Sequence, residues 1–77
     1  MRQQHVDQIE VLLHFNVDNT LQGIKIHHDA RPGLVEAAQQ LFELGLITEA
    51  DGGYLTDLGH EAAEHLTQAL HIMKPIN

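Results

Sequence analysis

The fold is decided by the stretch LGLITEADGGYLTDLG, residues 44–59. An amphipathic segment precedes it and ends at Gly45, since glycine lacks a Cβ and is the usual left-handed terminator of a helix. Residues 46–48 are typical of a short strand, and the Asp-Gly-Gly of residues 51–53 supplies the positive φ values that a tight hairpin needs. Residues 54–56 return as the second strand. The stretch therefore predicts a β-hairpin between two helices.

Amphipathic helices are predicted on both sides of the hairpin. Pro32 suits the first position of a helix over residues 32–45. The apolar face of this helix comprises Leu34, Val35, Ala38, Leu41 and Phe42, and its outer face carries Glu36, Gln39, Gln40 and Glu43. Thr56 can cap a last helix, which Pro75 would stop. The apolar face of the last helix comprises Leu58, Ala62, Leu66, Ala69, Leu70 and Met73.

The N-terminal part is predicted to contain one helix and a second element that is either a short helix or a strand. Apolar residues at helical spacing predict a helix over residues 6–15, and the Asn and Asp of residues 16–20 are typical of the turn that ends it. Residues 20–28 fit either a short helix or a strand. The predicted fold class is mainly α with a small β-hairpin, in the order helix, short helix or strand, helix, hairpin, helix.

Chain length and composition indicate a homodimer. The 77 residues form a single domain over residues 1–77, and a core of this size rarely supplies more than about 3 to 5 kcal/mol. Cysteine is absent, so neither a disulfide nor a thiolate metal site can add stability. Pairing with a second copy is the remaining common device. Because the apolar stripe of the last helix is long for one small core, we predict that the interface uses Leu58, Ala62, Leu66, Leu70 and Met73.

Several kinds of site are not predicted. Serine and cysteine are both absent, which excludes two common covalent nucleophiles, and the glycines match no nucleotide-binding fingerprint. We therefore expect neither enzymatic activity nor a cofactor. The sequence also lacks the pattern of a signal peptide and the roughly 18 apolar residues of a membrane span. We expect a cytoplasmic protein that does not enter membranes.

Seven histidines raise the question of a metal site. His27, His28 and Asp29 are adjacent, and His60 and Glu64 lie one helical turn apart. No spacing among them matches a known zinc pattern, and His with Glu four residues later is also an ordinary contact on a helix surface. We predict no metal site. The histidines leave open a pH-tuned association of the last helix.

Charge bears on the choice of partner. Eleven acidic residues against four Lys and Arg give a formal net charge of −7 with histidine neutral. The fixed cations, Arg2, Lys25, Arg31 and Lys74, are scattered along the chain. Since neutralisation of phosphates by Lys and Arg provides most of the affinity of DNA-binding modules, this composition disfavours nucleic acid.

Residues 42–59 nevertheless resemble the signature shared by many bacterial winged-helix regulators, with Leu-x-x-x-Gly-Leu-Ile before the hairpin and Leu-Thr-x-x-Gly after it. The resemblance implies that the helix of residues 32–45 enters the major groove and that the wing of residues 48–54 contacts the flanking backbone. The residues placed to contact DNA would be Lys25, Arg31, Gln39 and Gln40. The wing departs from the pattern, because its tip carries two acids and no base.

The whole chain also resembles a family of very short, uncharacterised bacterial proteins. The resemblance rests on the segments HHDA (residues 27–30), LF (residues 41–42) and DGGYLTDLG (residues 51–59). It implies no activity. The sequence therefore supports two hypotheses, of which the first is a non-enzymatic winged-helix module that acts through protein contacts as a dimer. The alternative is a DNA-binding transcriptional regulator.

Overall fold

The computed structural model describes residues 1–74 and has three helices and three short strands. In chain order these are α1 (Gln3–Leu13), β1 (Ile24–Lys25), α2 (Pro32–Glu43), β2 (Ile47–Glu49), β3 (Gly52–Leu55) and α3 (Asp57–Ile72). The predicted class, mainly helical with a small β-hairpin, is confirmed. The predicted stop at Pro75 lies outside the described residues. None of the described helices is both long enough and apolar enough to cross a membrane.

Helix α1 begins and ends earlier than the predicted residues 6–15. Its first turn forms on the carbonyl of Arg2, which accepts from the backbone N–H groups of His5 and Val6 at 3.0 and 3.1 Å. At the other end, Phe15 N–H bonds to the carbonyl of Leu12 at 3.2 Å. This tighter turn folds the Phe15 ring back into the core, where the residue is 6% exposed.

Within residues 20–28 the structure has the two-residue strand β1 and no helix. Ile24 pairs with Gly53 and Lys25 with Gly52, antiparallel, so the sheet order is β1-β3-β2. Asn16 and Asn19 accept the N–H groups of residues 18 and 21, and such local bonds favour turns over helix. Residues 14–31, all of them described, contain no helix. A separate positioning helix before α2 is therefore absent from this part of the chain.

The core lies where α1 packs across α2, and the start of β2 and residues 62, 63 and 66 of α3 close it. Its buried apolar residues are Val11, Leu12, Phe15, Ala37, Ala38, Leu41, Ile47 and Ala63. The buried face of α2 differs from the predicted one: Ala37 is buried, while Phe42 is 44% exposed. Small side chains at positions 37 and 38 let the two helices approach closely. The sequence pattern could not show this choice, because alanine and phenylalanine fit an apolar stripe equally well.

The corner between α2 and α3 confirms the predicted end of α2 and the predicted cap of α3, but the hairpin turn lies at residues 50–51, and Gly52 and Gly53, both with positive φ, already belong to β3. Gly45 has φ +79°, and Leu46 N–H bonds back to the carbonyl of Leu41 at 3.0 Å, which completes a Schellman motif. The Thr56 hydroxyl accepts from Gly59 N–H at 3.0 Å and caps α3 as predicted. It also donates to the carbonyl of Gly45 at 2.6 Å. One side chain thus ties the end of α2 to the start of α3.

Candidate functional site

Exposed apolar residues of α3 are candidates for an interface. Leu58 is 54%, Leu70 48% and Met73 74% exposed. Of the other two residues predicted at the dimer interface, Ala62 and Leu66 are half-buried and pack against the core. The structure therefore divides the predicted set between the core and the surface. Ile72, which was not among the predicted interface residues, is 81% exposed.

The C-terminal half of α3 extends beyond the core. After Ala63, only Leu66 packs against the core residues, and residues 67–73 are all exposed. In this half the apolar side chains of Leu70, Ile72 and Met73 meet solvent. Exposed helical turns gain little from propensity alone, since most helical stability in proteins comes from packing of an amphipathic face. This surface is therefore suited to a partner.

A cleft of about 490 Å³ lies between α2, β1 and the tip of the hairpin. Its apolar lining comes from Ile26, Val35, Ala38 and Ala50, and its polar lining from Lys25, His28, Gln39, Glu49 and Asp51. Lys25 Nζ lies 3.6 Å from Asp51 Oδ2. An apolar lining with a few convergent polar groups is typical of binding sites.

The four candidate DNA contacts do not lie on one surface. Lys25 and Gln39 both line the cleft. Gln40 instead faces α1, where its Oε1 accepts from Gln8 Nε2 at 2.8 Å. Arg31 also bonds to α1, through Asp7 and Glu10. Helix α2 therefore separates two of the predicted contacts from the other two.

Among residues 1–74, Asp7 is the one charged residue that is buried. It is 5% exposed, and its Oδ1 accepts from Arg31 Nη2 at 3.0 Å and from Gln3 Nε2 at 2.9 Å. The hydrogen bond from Arg31, followed by that from Gln3, holds the pKa of Asp7 below its ordinary value. This pair was not predicted from the sequence, because its members are 24 residues apart. It anchors the loop before α2 to α1.

Stability should therefore depend on the charge of Asp7 in acid. A carboxyl whose pKa is lower in the folded state stabilises the fold above its unfolded value of 3.8, and this contribution is lost as the pH falls through the folded pKa. We expect Asp7→Asn to lower the free energy of unfolding near neutral pH. Below about pH 4, we expect the free energy of unfolding to fall less steeply with pH in this variant than in the parent. Urea titrations at several pH values measure both effects.

The matched control for Asp7 is Asp29→Asn, which changes the same functional group in an exposed loop. The control should leave the neutral-pH stability nearly unchanged, since surface substitutions away from special contacts usually have small effects. Equal losses in the two variants would contradict the role given to the pair with Arg31.

The histidines considered as metal ligands lie in different parts of the structure. His60 Nε2 lies 2.8 Å from the carbonyl of Val17, and its Nδ1 lies 3.6 Å from Glu64 Oε2. It therefore joins α3 to the turn after α1. His27, His28 and Asp29 are exposed, and within residues 1–74 no three His, Asp or Glu side chains are grouped as metal ligands.

Comparison with known proteins gives one match. A family of unknown function (DUF5669) matches residues 1–74, a span that includes all three helices and the whole sheet. No curated protein and no solved structure matches the chain. The predicted resemblance to a family of very short, uncharacterised proteins is confirmed, while the resemblance to winged-helix regulators stays a prediction.

Proposed function

This chain belongs to a family of unknown function, DUF5669, and we propose that it is a non-enzymatic interaction module of winged-helix type that works as a homodimer. The order α2, hairpin and α3 corresponds to recognition helix, wing and closing helix, although a separate positioning helix is absent between residues 14 and 31. The observation that carries the proposal is the exposed apolar surface of α3.

The surface of α3 supports association with a second copy. Leu70 and Met73 lie on one face of the helix, three residues apart, and are 48% and 74% exposed. Full burial of such a side chain is worth about 1.5 to 3 kcal/mol. A two-fold interface uses the same patch from both subunits, so one patch can serve both sides of a dimer. The added burial would stabilise a domain whose own core is small.

The charges around α2 support protein contacts over DNA. Lys25 lies beside Asp51, and Arg31 lies beside Asp7 and Glu10 at 3.0 and 3.5 Å. Two of the four fixed cations are thus accompanied by carboxylates. The wing adds Glu49 near its tip. Phosphates would meet few uncompensated positive charges on this side of the molecule.

We expect the mass of the protein in solution to rise from monomer to dimer with concentration. Leu70→Asp should give a folded monomer, because the side chain is half exposed in one copy and the added charge opposes burial in a dimer. Leu66→Asp should instead unfold the chain, because Leu66 packs against the core. Sedimentation equilibrium and circular dichroism measure association and folding separately.

His71→Asp is the matched control, since His71 is exposed in the last turn of the same helix, one residue from Leu70. It lies about 100° around the helix from that side chain. We expect this variant to keep the mass of the parent at every concentration. A parent protein that stays a folded monomer at high concentration would overturn the dimer proposal.

A second candidate function, a DNA-binding regulator, is favoured by one observation. Gln39 is exposed on α2 and shares the cleft with Lys25, and glutamine can read adenine in the major groove. Titration of a fluorescent random-sequence duplex at low salt tests it. Binding that weakens steeply with added salt would favour the regulator, whereas no binding up to about 100 μM would reject it.

A further inference from the structure

Strand β1 leaves one edge of the sheet open. It is the outer strand in the order β1-β3-β2, and Ile26 N–H bonds inward to the carbonyl of Asp51 at 2.7 Å. Because antiparallel ladders bond through alternate residues, the N–H and C=O groups of Lys25 face away from β3. Within residues 1–74, no strand pairs with this outer side. The outward N–H and C=O groups of Lys25 can therefore pair with an added strand.

The cleft beside this edge carries an excess of negative charge. Lys25 is paired with Asp51, which leaves the Glu49 carboxylate as the uncompensated charge of the lining. In the part of the chain that the structure describes, no Lys, Arg or His nitrogen lies within ion-pair distance of Glu49. The whole chain has a formal net charge of −7. A cationic group is therefore the complement of the cleft.

We propose that an extended, basic segment of a partner protein adds a strand to β1 and places an Arg or Lys side chain in the cleft. The proposal rests on the interaction function proposed above and names the chemistry of the partner. In strand addition, main-chain hydrogen bonds give affinity and pockets for alternate side chains give specificity. The apolar lining at Ile26 and Val35 would cover the methylene stem, and Glu49 would meet the charged end.

Other occupants fit this edge less well. A second copy of β1 paired about a two-fold axis would bring two Lys25 side chains together across the new ladder, and like charges in that position are destabilising. An acidic peptide would face Glu49 and the negative charge of the whole chain. Basic character is therefore the property that selects the partner.

The test is a titration of fluorescein-labelled peptides, followed by fluorescence anisotropy at low salt. The probe is acetyl-Val-Arg-Val-Arg-Val-amide, and its matched control replaces both arginines with glutamate. We expect the arginine peptide to bind and the glutamate peptide to show no binding. N-methylation of the central valine removes a main-chain donor and should abolish binding if the peptide adds as a strand. Equal binding of the two charge types, or of the N-methylated peptide, would overturn the proposal.

Protein variants locate the site. Glu49→Gln removes the proposed charge contact and should weaken binding about twofold to fivefold, the upper part of the range of an exposed ion pair. Glu43→Gln makes the same change at an exposed position of α2 outside the cleft and should leave the affinity unchanged. Equal effects of the two variants would show that net charge alone attracts the peptide and would overturn the assignment to the cleft.

These measurements also test the strand addition and the dimer proposal independently. Leu70→Asp should bind the arginine peptide as the parent does, because α3 contributes no residue to the cleft. A dimeric parent without peptide binding would refute the strand addition alone. A monomeric parent that binds the peptide would refute the dimer alone.

Discussion

Replacing Gly59 with alanine should remove most of the stability of the domain. Gly59 is buried in the first turn of α3, and an added Cβ would overlap the carbonyl oxygen of Leu46. That carbonyl cannot move freely, because it accepts the N–H of Thr56 at 3.1 Å. Overpacking typically costs about 1 to 3 kcal/mol, and we expect the upper end here because both partners are backbone. Thermal and urea unfolding measure the loss.

Gly45→Ala is the control that separates lack of space from backbone conformation. Gly45 has a positive φ of 79°, but a Cβ there meets nothing within 4 Å. We expect a smaller loss, about 1 to 2 kcal/mol, from the left-handed backbone alone. At position 59, inside α3, alanine would stabilise the helix by about 1 kcal/mol relative to glycine if there were room for its side chain. A Gly59→Ala protein as stable as the parent would therefore contradict the close approach of α3 to Leu46.

Replacing Leu41 with alanine should also populate the unfolded state heavily. Leu41 is 1% exposed and is one of the largest fully buried side chains. Truncation of a buried leucine to alanine costs about 2 to 5 kcal/mol, since a cavity remains after the transfer energy is lost. A domain of this size rarely has more than about 3 to 5 kcal/mol to lose. Urea denaturation at equilibrium, followed by circular dichroism, measures the change.

Leu44→Ala is the matched control, because it makes the same truncation at the C-cap of the same helix, where the leucine is 60% exposed. We expect a change within about 0.5 kcal/mol. Similar losses at positions 41 and 44 would mean that the buried face of α2 differs from the one described. They would also point to an interface that covers Leu44 in solution.

The elements with strong local signals were predictable from the sequence. Gly45 ends α2, Thr56 caps α3, and Gly52 and Gly53 supply the positive φ values of the hairpin. Each of these features depends on residues within a few positions in the chain. Turn and cap chemistry is local, so the sequence displays it directly.

Features that join distant residues were not predictable in the same way. The strand character of Ile24 depends on its pairing with Gly53, and the burial of Asp7 depends on Arg31. The lack of space for a side chain at Gly59 is due to the carbonyl of Leu46. In each case tertiary contacts decide, and periodicity cannot specify them.

The candidate surfaces likewise include one feature that the sequence shows and one that it does not show. Exposure of Leu58, Leu70 and Met73 agrees with an apolar stripe longer than the core requires, and that stripe is visible in the sequence. The separation of Gln39 from Gln40 is not visible there. Adjacent positions of a helix differ by about 100° in direction, and only the placement of α1 shows which of the two glutamines it covers.

The short strand β1 has a consequence for how the molecule opens. Two residue pairs and the bond from Ile26 hold it to β3, whereas the buried core residues lie mostly on α1 and α2. Regions with few buried contacts open locally at much lower free energy than the core. We therefore expect the edge and the helical core to open as separate units. The amide of Ile26 should exchange its hydrogen through local detachment of β1, and the amide of Leu41 only when the whole domain unfolds.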